Sequence, residues 1–379
     1  MRLMLLIRSL HEGGAERQLV TLACALKLRD IPVSVMTLYD GPMRAELEQN
    51  GVNIIDLRKR GRWDVLFLGR MIREIRLWYP SAIYCFGGTI LFTVLVRAFV
   101  KNTKLIWGIR ASNMDFGFYD GLSRILLRFY PIFAHFSDLI ICNSEMGKKH
   151  VLNMGFPKGR TVVVSNGINT DKWVFDNKSR TMLRKTWGIP QKIPLIGIVA
   201  RIDPIKDHKT FIRMAALCYK SRPDLKFVVI GNNIDAAYTK ELKEFAKDLL
   251  GDSTLIWAGN HTNMSAVYSA LDVLVLTSLS EGFPNVIGEG MACEVNVVST
   301  NAGDAKRIID DTGIITDIGD AEGLMHGVLT ILADEAQKRN AYARDRIIKY
   351  YSVDLMLNLT LNLIKQVLSA QENKLNQDY

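Results

Sequence analysis

Uninterrupted apolar runs alternate with helix-patterned stretches along the whole chain, and this alternation restricts the possible folds more than any other feature. The runs are RLMLLI (2–7), PVSVMTL (32–38), NIIDL (53–57), AIYCF (82–86), KLIWGI (104–109), DLIICNS (138–144) and TVVVSNG (161–167). Strands buried on both faces of a parallel sheet read in this way. The polar stretch DKWVFDNKSRTMLRKTWGIPQK (171–192) breaks the pattern, which restarts with PLIGIVAR (194–201), KFVVIG (226–231), TLIWAG (254–259), DVLVLTS (272–278) and NVVST (296–300). At 379 residues the chain exceeds what one hydrophobic core organises. The expectation is an α/β protein of two Rossmann-like, doubly wound domains. They span 1–170 and 193–352, joined by a connector at 171–192. A closing helix over 353–370, started by Ser352, is expected to pack back on the first domain.

Five cysteines, Cys24, Cys85, Cys142, Cys218 and Cys293, are scattered without C-x-x-C spacing. This pattern suggests neither a disulfide framework nor a metal knot and fits a reducing cytoplasm. MRLMLLIR is too short for a signal peptide, and no run reaches the roughly 18 charge-free apolar residues of a spanning helix. The net charge of +9 is uneven: residues 1–170 hold 23 Lys/Arg against 13 Asp/Glu, and residues 171–379 hold 25 against 26. Nucleic acid, an anionic bilayer or a phosphorylated acceptor would each answer that field. No nucleic-acid-binding signature accompanies it, so nucleic acid is not expected as a partner.

Ligands of open α/β sheets sit outside the carboxyl ends of the strands, which directs attention to polar residues just after the apolar runs. SEGFPNVIGEGMACEVNVVST (280–300) sets Glu281 and Glu289 across a Gly-Phe-Pro turn. Pro284 suits a first helical turn and predicts a helix over about 284–293. The N–H groups from Gly282 to Asn285 and the helix dipole suit an anion, while ionised carboxylates accept from sugar hydroxyls. A solvated Glu289 and a Glu281 that only complements the dipole are the plainer alternative. In VARIDPIKDHKTF (199–211), Arg201 and Lys206 are two cations able to neutralise a diphosphate, or else surface charges. RSLHEGGAERQ (8–18) offers Gly13 and Gly14 for close backbone approach, and WGIRASN (107–113) places Arg110 and Ser112 after a strand. Either loop could equally be structural.

The stretch EGFPNVIGEGMAC resembles the E-x7-E signature of the retaining glycosyltransferases of family four. GGAER (13–17), NSEMGKKHVLNMGFPKGRTVVVSNGIN (143–169) and ARIDPIKDHKTF resemble further motifs of that family in the right order. The resemblance implies two Rossmann-like domains facing across a cleft, the glycosyltransferase B-type fold. It also implies transfer of a hexosyl or N-acetylhexosaminyl group from a UDP- or GDP-sugar to a glycan or lipid-linked acceptor, in bacterial surface polysaccharide, lipopolysaccharide or glycolipid synthesis.

Carried over, Arg201 and Lys206 would bind and stabilise the leaving diphosphate, and Glu289 would hold the ribose hydroxyls. Glu281, with the amides around Phe283 and Pro284, would contact the sugar. Gly14 would approach the phosphate, and Asn232 and Asn260 would flank the base. Arg110 would face the sugar or an acceptor phosphate. No further cofactor is implied, and the absence of an Asp-x-Asp pair fits a metal-free, front-face reaction.

The sequence departs from the family pattern at Glu294 and Asn296, where Gly and Pro are usual, and at Arg110, near which a histidine is common. These departures keep open a non-catalytic, nucleotide-sugar-binding partner of another transferase. An epimerase or phosphorylase of the same plan lacks a motif here. The basic, aromatic stretches 58–79 and 122–136 could lie on an anionic bilayer, making the protein cytoplasmic with peripheral contact at the inner face of the plasma membrane. A core-packed helix with a solvated arginine face is the alternative.

Overall fold

The computed structural model describes residues 1–11, 13–61, 63–100, 102–110, 128–334 and 339–375, and divides into two compact units. Unit 1 comprises Met1–Gly167 and Val353–Tyr379, and unit 2 comprises Ile168–Ser352.

Unit 1 is built on a seven-stranded sheet in the order β3-β2-β1-β4-β5-β6-β7, with every pairing parallel. The strands are β1 (Leu3–Ser9), β2 (Val33–Tyr39), β3 (Asn53–Asp56), β4 (Ala82–Phe86), β5 (Lys104–Ile109), β6 (Leu139–Cys142) and β7 (Thr161–Val163). All five residues of β4 and all four of β6 are buried, as continuous apolar runs require. The last helix, Val353–Leu375, belongs to this unit: Met356, Leu357, Leu361 and Ile364 share a core with Leu19, Leu22 and Leu26 of the Gly14–Leu28 helix. The buried Gln18 amide receives the chain at Gly167, exchanging two hydrogen bonds of 3.1 Å with its backbone N–H and C=O. A Cβ at Gly167 would lie 2.8 Å from Val353 Cα, so only glycine lets the two segments meet there.

Unit 2 carries a six-stranded parallel sheet in the order β10-β9-β8-β11-β12-β13. Its strands are β8 (Leu195–Val199), β9 (Lys226–Ile230), β10 (Leu255–Gly259), β11 (Val273–Leu276), β12 (Asn296–Thr300) and β13 (Ile314–Thr316). The sequence reading missed β13, a three-residue, half-buried edge strand too short and too mixed to register as an apolar run.

The stretch 171–192 is part of unit 2, and this corrects its reading as a connector between domains. Asp176 caps the helix Asn177–Thr186, which presents two arginines to the end of the helix Met264–Ala270. Arg180 donates to the carbonyls of Ser269, Ala270 and Leu271 and pairs with Asp272 at 2.7 Å. Arg184, fully buried, donates to Ala270 O, Asp272, Pro190 O and Ile193 O. The orphan carbonyls of a helix end and a carboxylate thus absorb both charges. Composition alone made this stretch look like a linker because its buried groups are charged.

At Glu294 the backbone φ is +61°, in the left-handed region. A side chain there costs about 1 kcal/mol that glycine avoids. Glu294→Gly is therefore expected to raise the melting temperature of the unit by a degree or more without altering its fold. Calorimetry of the two proteins reads this directly, and a lower melting temperature would show that the Glu294 side chain stabilises more than its backbone costs.

Candidate functional site

The strand order in unit 2 reverses between β8 and β11, whose ladder is only two residue pairs long, Ile196–Val273 and Gly197–Leu274. Beyond it the two strands send polar loops outward, and a topological switch point of this kind is where an open α/β sheet binds its ligand. Lys206 from the β8 loop meets Glu281 from the β11 loop there, with Nζ donating to Oε1 at 2.6 Å. Ser278 Oγ donates to the same oxygen at 2.7 Å.

The β11 loop is fastened on both sides. Toward β8, Thr277 Oγ1 donates to the carbonyls of Lys206 and Asp207, and Leu279 N–H donates to Ile205 O. Toward β12, Thr300 Oγ1 donates to Ser278 O and Asp304 N–H donates to Gly282 O. Gly303 makes that contact possible: at φ +59°, a Cβ would fall 2.4 Å from Glu281 O and 2.5 Å from Gly282 O. Sequence reading selected Lys206 and Glu281 separately and passed over Thr277 and Ser278. Both are polar residues directly after a strand, the signal applied elsewhere.

Asp203 caps a short 3-10 turn, Pro204–Lys206, and Asp207, left-handed at φ +45°, caps the helix His208–Ser221 through Thr210. This pair of caps fixes the Lys206 backbone. Arg201, by contrast, has a 59% exposed side chain and pairs with Asp203 at 3.5 Å, so the two cations expected here differ: Lys206 is held in the site and Arg201 stands out toward solvent. His208 is fully buried, both ring nitrogens lack a hydrogen-bond partner among the described residues, and burial lowers its pKa to about 4. At neutral pH it is an uncharged packing group beneath the loop. Asn232 and Asn260 are exposed at the ends of β9 and β10. Gly231 lets the end of β9 close on the residue after β8, because a Cβ there would sit 1.9 Å from Ala200 O, and its N–H donates to Gly259 O at the end of β10.

The helix after the Gly-Phe-Pro turn runs Asn285–Ala292, within the expected span. Pro284 caps it without an N–H to offer, and both Pro284 and Phe283 are buried, with Phe283 against Tyr351 at 5.6 Å. The Phe283 side chain therefore serves the core and is unavailable to a ligand, as is any Pro284 amide. Gly282 and Asn285, half-buried, flank the turn. Glu289 is 3% exposed, not the solvated residue of the plainer reading, and its Oε2 accepts a 2.8 Å hydrogen bond from Tyr268. Glycine lets the helix approach the core: a Cβ at Gly288 would meet Ile168 at 2.8 Å and one at Gly290 would meet Leu274 at 2.6 Å. Cys293, like Cys85, Cys142 and Cys218, is buried with its thiol pushed up to about 12, so none of these is a ready nucleophile.

In unit 1, Gly13 caps the Gly14–Leu28 helix directly after the β1 loop. Arg110, at the end of β5, donates to Asn166 Oδ1 and to the Tyr84 hydroxyl at 2.8 Å each and lies 4.5 Å over the Phe86 ring. Those partners give it a structural role whatever else it does. Ser112 and residues 122–127 of the second basic stretch lie outside the described residues. The helix Phe67–Trp78 buries Phe67, Met71 and Ile75 and leaves Leu77 exposed, with Trp63, Val65 and Leu66 exposed just before it and Tyr79 just after. No helix among the described residues is long and apolar enough to cross a membrane.

Comparison with known proteins assigns both halves. Residues 12–172 match the family model Glycosyltransferase Family 4, and residues 179–349 match Glycosyl transferases group 1. The chain is 23% identical, over 90% of its length and 92% of the relative's, to a Campylobacter jejuni enzyme named N-acetylgalactosamine-N,N'-diacetylbacillosaminyl-diphospho-undecaprenol 4-alpha-N-acetylgalactosaminyltransferase. It is 24% identical, over 93% and 96%, to the lipopolysaccharide core biosynthesis glycosyltransferase LpsE of Rhizobium meliloti. A match to N-acetyl-alpha-D-glucosaminyl L-malate synthase of Bacillus anthracis, 25% identical, spans 46% of each chain. Among solved structures, Anabaena HepE in complex with UDP superposes with a TM-score of 0.83 at 21% identity, over 97% of this chain and 100% of HepE. That likeness shows the fold.

The buried His208 gives a pH signature. Its folded pKa, about 4, lies below the ordinary 6.5, so between those values the unfolded chain holds a proton that the folded chain refuses. The stabilisation is whole above pH 6.5 and is lost as pH falls toward 4, by roughly 3 kcal/mol. His208→Leu is expected to match the wild type in urea denaturation at pH 7.5 and to be the more stable of the two at pH 5. Equal pH slopes for both proteins would refute it.

Proposed function

The chain belongs to the glycosyltransferases of family four, and on that footing we propose that it moves a sugar from a nucleoside-diphosphate sugar to a glycan or lipid-linked acceptor with retention of configuration. The observation that carries the reading is the meeting of Lys206 and Glu281 at the switch point of unit 2. Cleavage of the donor needs a fixed positive charge beside the departing diphosphate, and Lys206 supplies it on a backbone held by two aspartate caps. Arg201, on its exposed side chain, turns onto the phosphates when they arrive. Glu289 accepts from the ribose hydroxyls, and Asn232 and Asn260 flank the base. Glu281 serves the sugar from the face of the loop and also steadies Lys206. No metal is assigned a part in this scheme. In front-face attack the leaving phosphate oxygen takes the acceptor's proton, so no side chain is required as a general base.

The acceptor side falls to unit 1. The relative from C. jejuni is named for a diphospho-undecaprenol acceptor, and LpsE for lipopolysaccharide core synthesis. A lipid-diphosphate acceptor at an anionic membrane suits the basic charge of unit 1 and the exposed Trp63, Val65, Leu66, Leu77 and Tyr79 around the Phe67–Trp78 helix. Arg110 would face such an acceptor only through the donors its internal partners leave over.

Lys206→Ala is expected to lower turnover at least 100-fold, about 2.7 kcal/mol of lost charge stabilisation, while circular dichroism shows the fold intact. The donor pool is found first by thermal shift with UDP- and GDP-sugars, since a ligand at 100 times its dissociation constant adds about 2.7 kcal/mol. Turnover by the alanine variant at the wild-type rate would remove Lys206 from the phosphate role.

A further inference from the structure

We propose that Ser278 is a positioning residue that keeps the Glu281 carboxylate in place after a diphosphate has drawn Lys206 away from it; this rests on the reading of Lys206 as the cation that binds the donor's phosphates. Two donors converge on one oxygen: Ser278 Oγ reaches Glu281 Oε1 at 2.7 Å and Lys206 Nζ reaches it at 2.6 Å. They are fastened very differently. Ser278 is fully buried, stands three residues before Glu281 in the same loop, and its carbonyl accepts from Thr300 Oγ1 at 2.9 Å. Its neighbours on either side are tied to the β8 loop, Thr277 through the carbonyls of Lys206 and Asp207 and Leu279 through that of Ile205. Lys206 reaches the same oxygen from across the switch point, on a long side chain that is 19% exposed.

The two donors answer an anionic ligand differently. An ammonium is a point charge with three protons on a flexible stem, so a diphosphate arriving beside it takes part or all of it. Glu281 then loses its counter-charge while a second anion comes close, and like charges in a partly desolvated site repel. A carboxylate held by the lysine alone would turn away at the moment it is needed. The serine hydroxyl is neutral, sits on a short side chain and commits its single proton to Oε1, so the ligand exerts no comparable pull on it. In the empty site the two donors duplicate each other, and loss of the hydroxyl leaves Oε1 still bonded to Lys206, with no acceptor orphaned. In the occupied site Ser278 holds alone. Its effect therefore falls on turnover, not on the folded state or on phosphate affinity.

The test pairs crystallography with kinetics on the full chain, using UDP or GDP, whichever binds in calorimetry. Wild-type crystals with and without that nucleotide are expected to show the Glu281 carboxylate in one place, bonded to Ser278, with Lys206 turned onto the phosphates in the bound form. Ser278→Ala is expected to match the wild type when empty, to bind the nucleotide within about twofold, and to show Glu281 displaced only when the nucleotide is present. In cleavage of sugar nucleotides of the same base, its kcat is expected to fall about tenfold with KM within about twofold. Ser278→Ala/Glu281→Gln should be no slower than Glu281→Gln, the signature of a residue acting through another. Ser278→Cys fills the same space with a weaker donor and carries the comparison if Ser278→Ala fails to fold. If Glu281 keeps its place in the nucleotide-bound variant, or the variant turns over at the wild-type rate, the positioning role is overturned while Lys206 keeps the phosphates. If neither UDP nor GDP binds, or Lys206 makes no contact with the bound phosphates, the phosphate reading falls and the proposal with it.

Discussion

The contact between Lys206 and Glu281 is the constraint to which the organisation of unit 2 answers. It joins residues 75 positions apart, at the point where the sheet reverses direction, with side chains only 19% and 12% exposed. An ion pair at that depth gives back in Coulomb attraction about what desolvation takes, so it adds little to stability. Its effect is positional. A lysine ammonium on a four-carbon stem would otherwise sample many rotamers, and here one oxygen, also held by Ser278, restricts it. On the proposed reading of the site, an arriving diphosphate would compete with Glu281 for the ammonium, or share it, so Glu281 would act on the phosphate as well as on the sugar.

Much of the surrounding structure keeps these two residues in register. The β11 loop is hydrogen-bonded to the β8 loop on one flank and to the β12 loop on the other, and glycines 231 and 303 stand where any side chain would strike a carbonyl. The helix carrying Glu289 uses glycines 288 and 290 to lie close to the core, which is why EGFPNVIGEGMAC reads as a small-residue helix. Backbone freedom is given up around this site and tolerated elsewhere: Glu294, just past the helix, sits strained at positive φ.

How much of this was legible in the sequence depends on whether the signal was local. Twelve of the thirteen strands among the described residues were readable because a strand buried on both faces must be apolar throughout, as LIGIV of β8 and VLVL of β11 are. The switch-point loops were readable as polar residues following such runs. Pairing was not. Lys206 and Glu281 read as two independent charges and Arg201 looked equivalent to Lys206, because each role is set by a partner distant in sequence. The stretch 171–192 failed for a related reason: Arg180 and Arg184 count as polar in composition, yet they are buried by the carbonyl ends of a helix and by Asp272.

The two units share a strand plan but differ in electrostatics. Unit 2 carries 23 basic and 23 acidic residues, and unit 1 carries 25 against 16. A neutral unit exerts little long-range field, so recognition of an anionic ligand within it must come from a few placed, partly desolvated groups that salt screens weakly. An unbalanced surface with Arg58 and Arg73 largely exposed attracts anions at range but selects poorly, and its pull fades within about 10 Å at 0.1 M salt. On the proposed reading, discrimination among nucleotides would accordingly belong to Lys206, Glu281 and Glu289, while the basic unit would gather a charged acceptor whose chemistry its local groups, Arg110 among them, would then resolve.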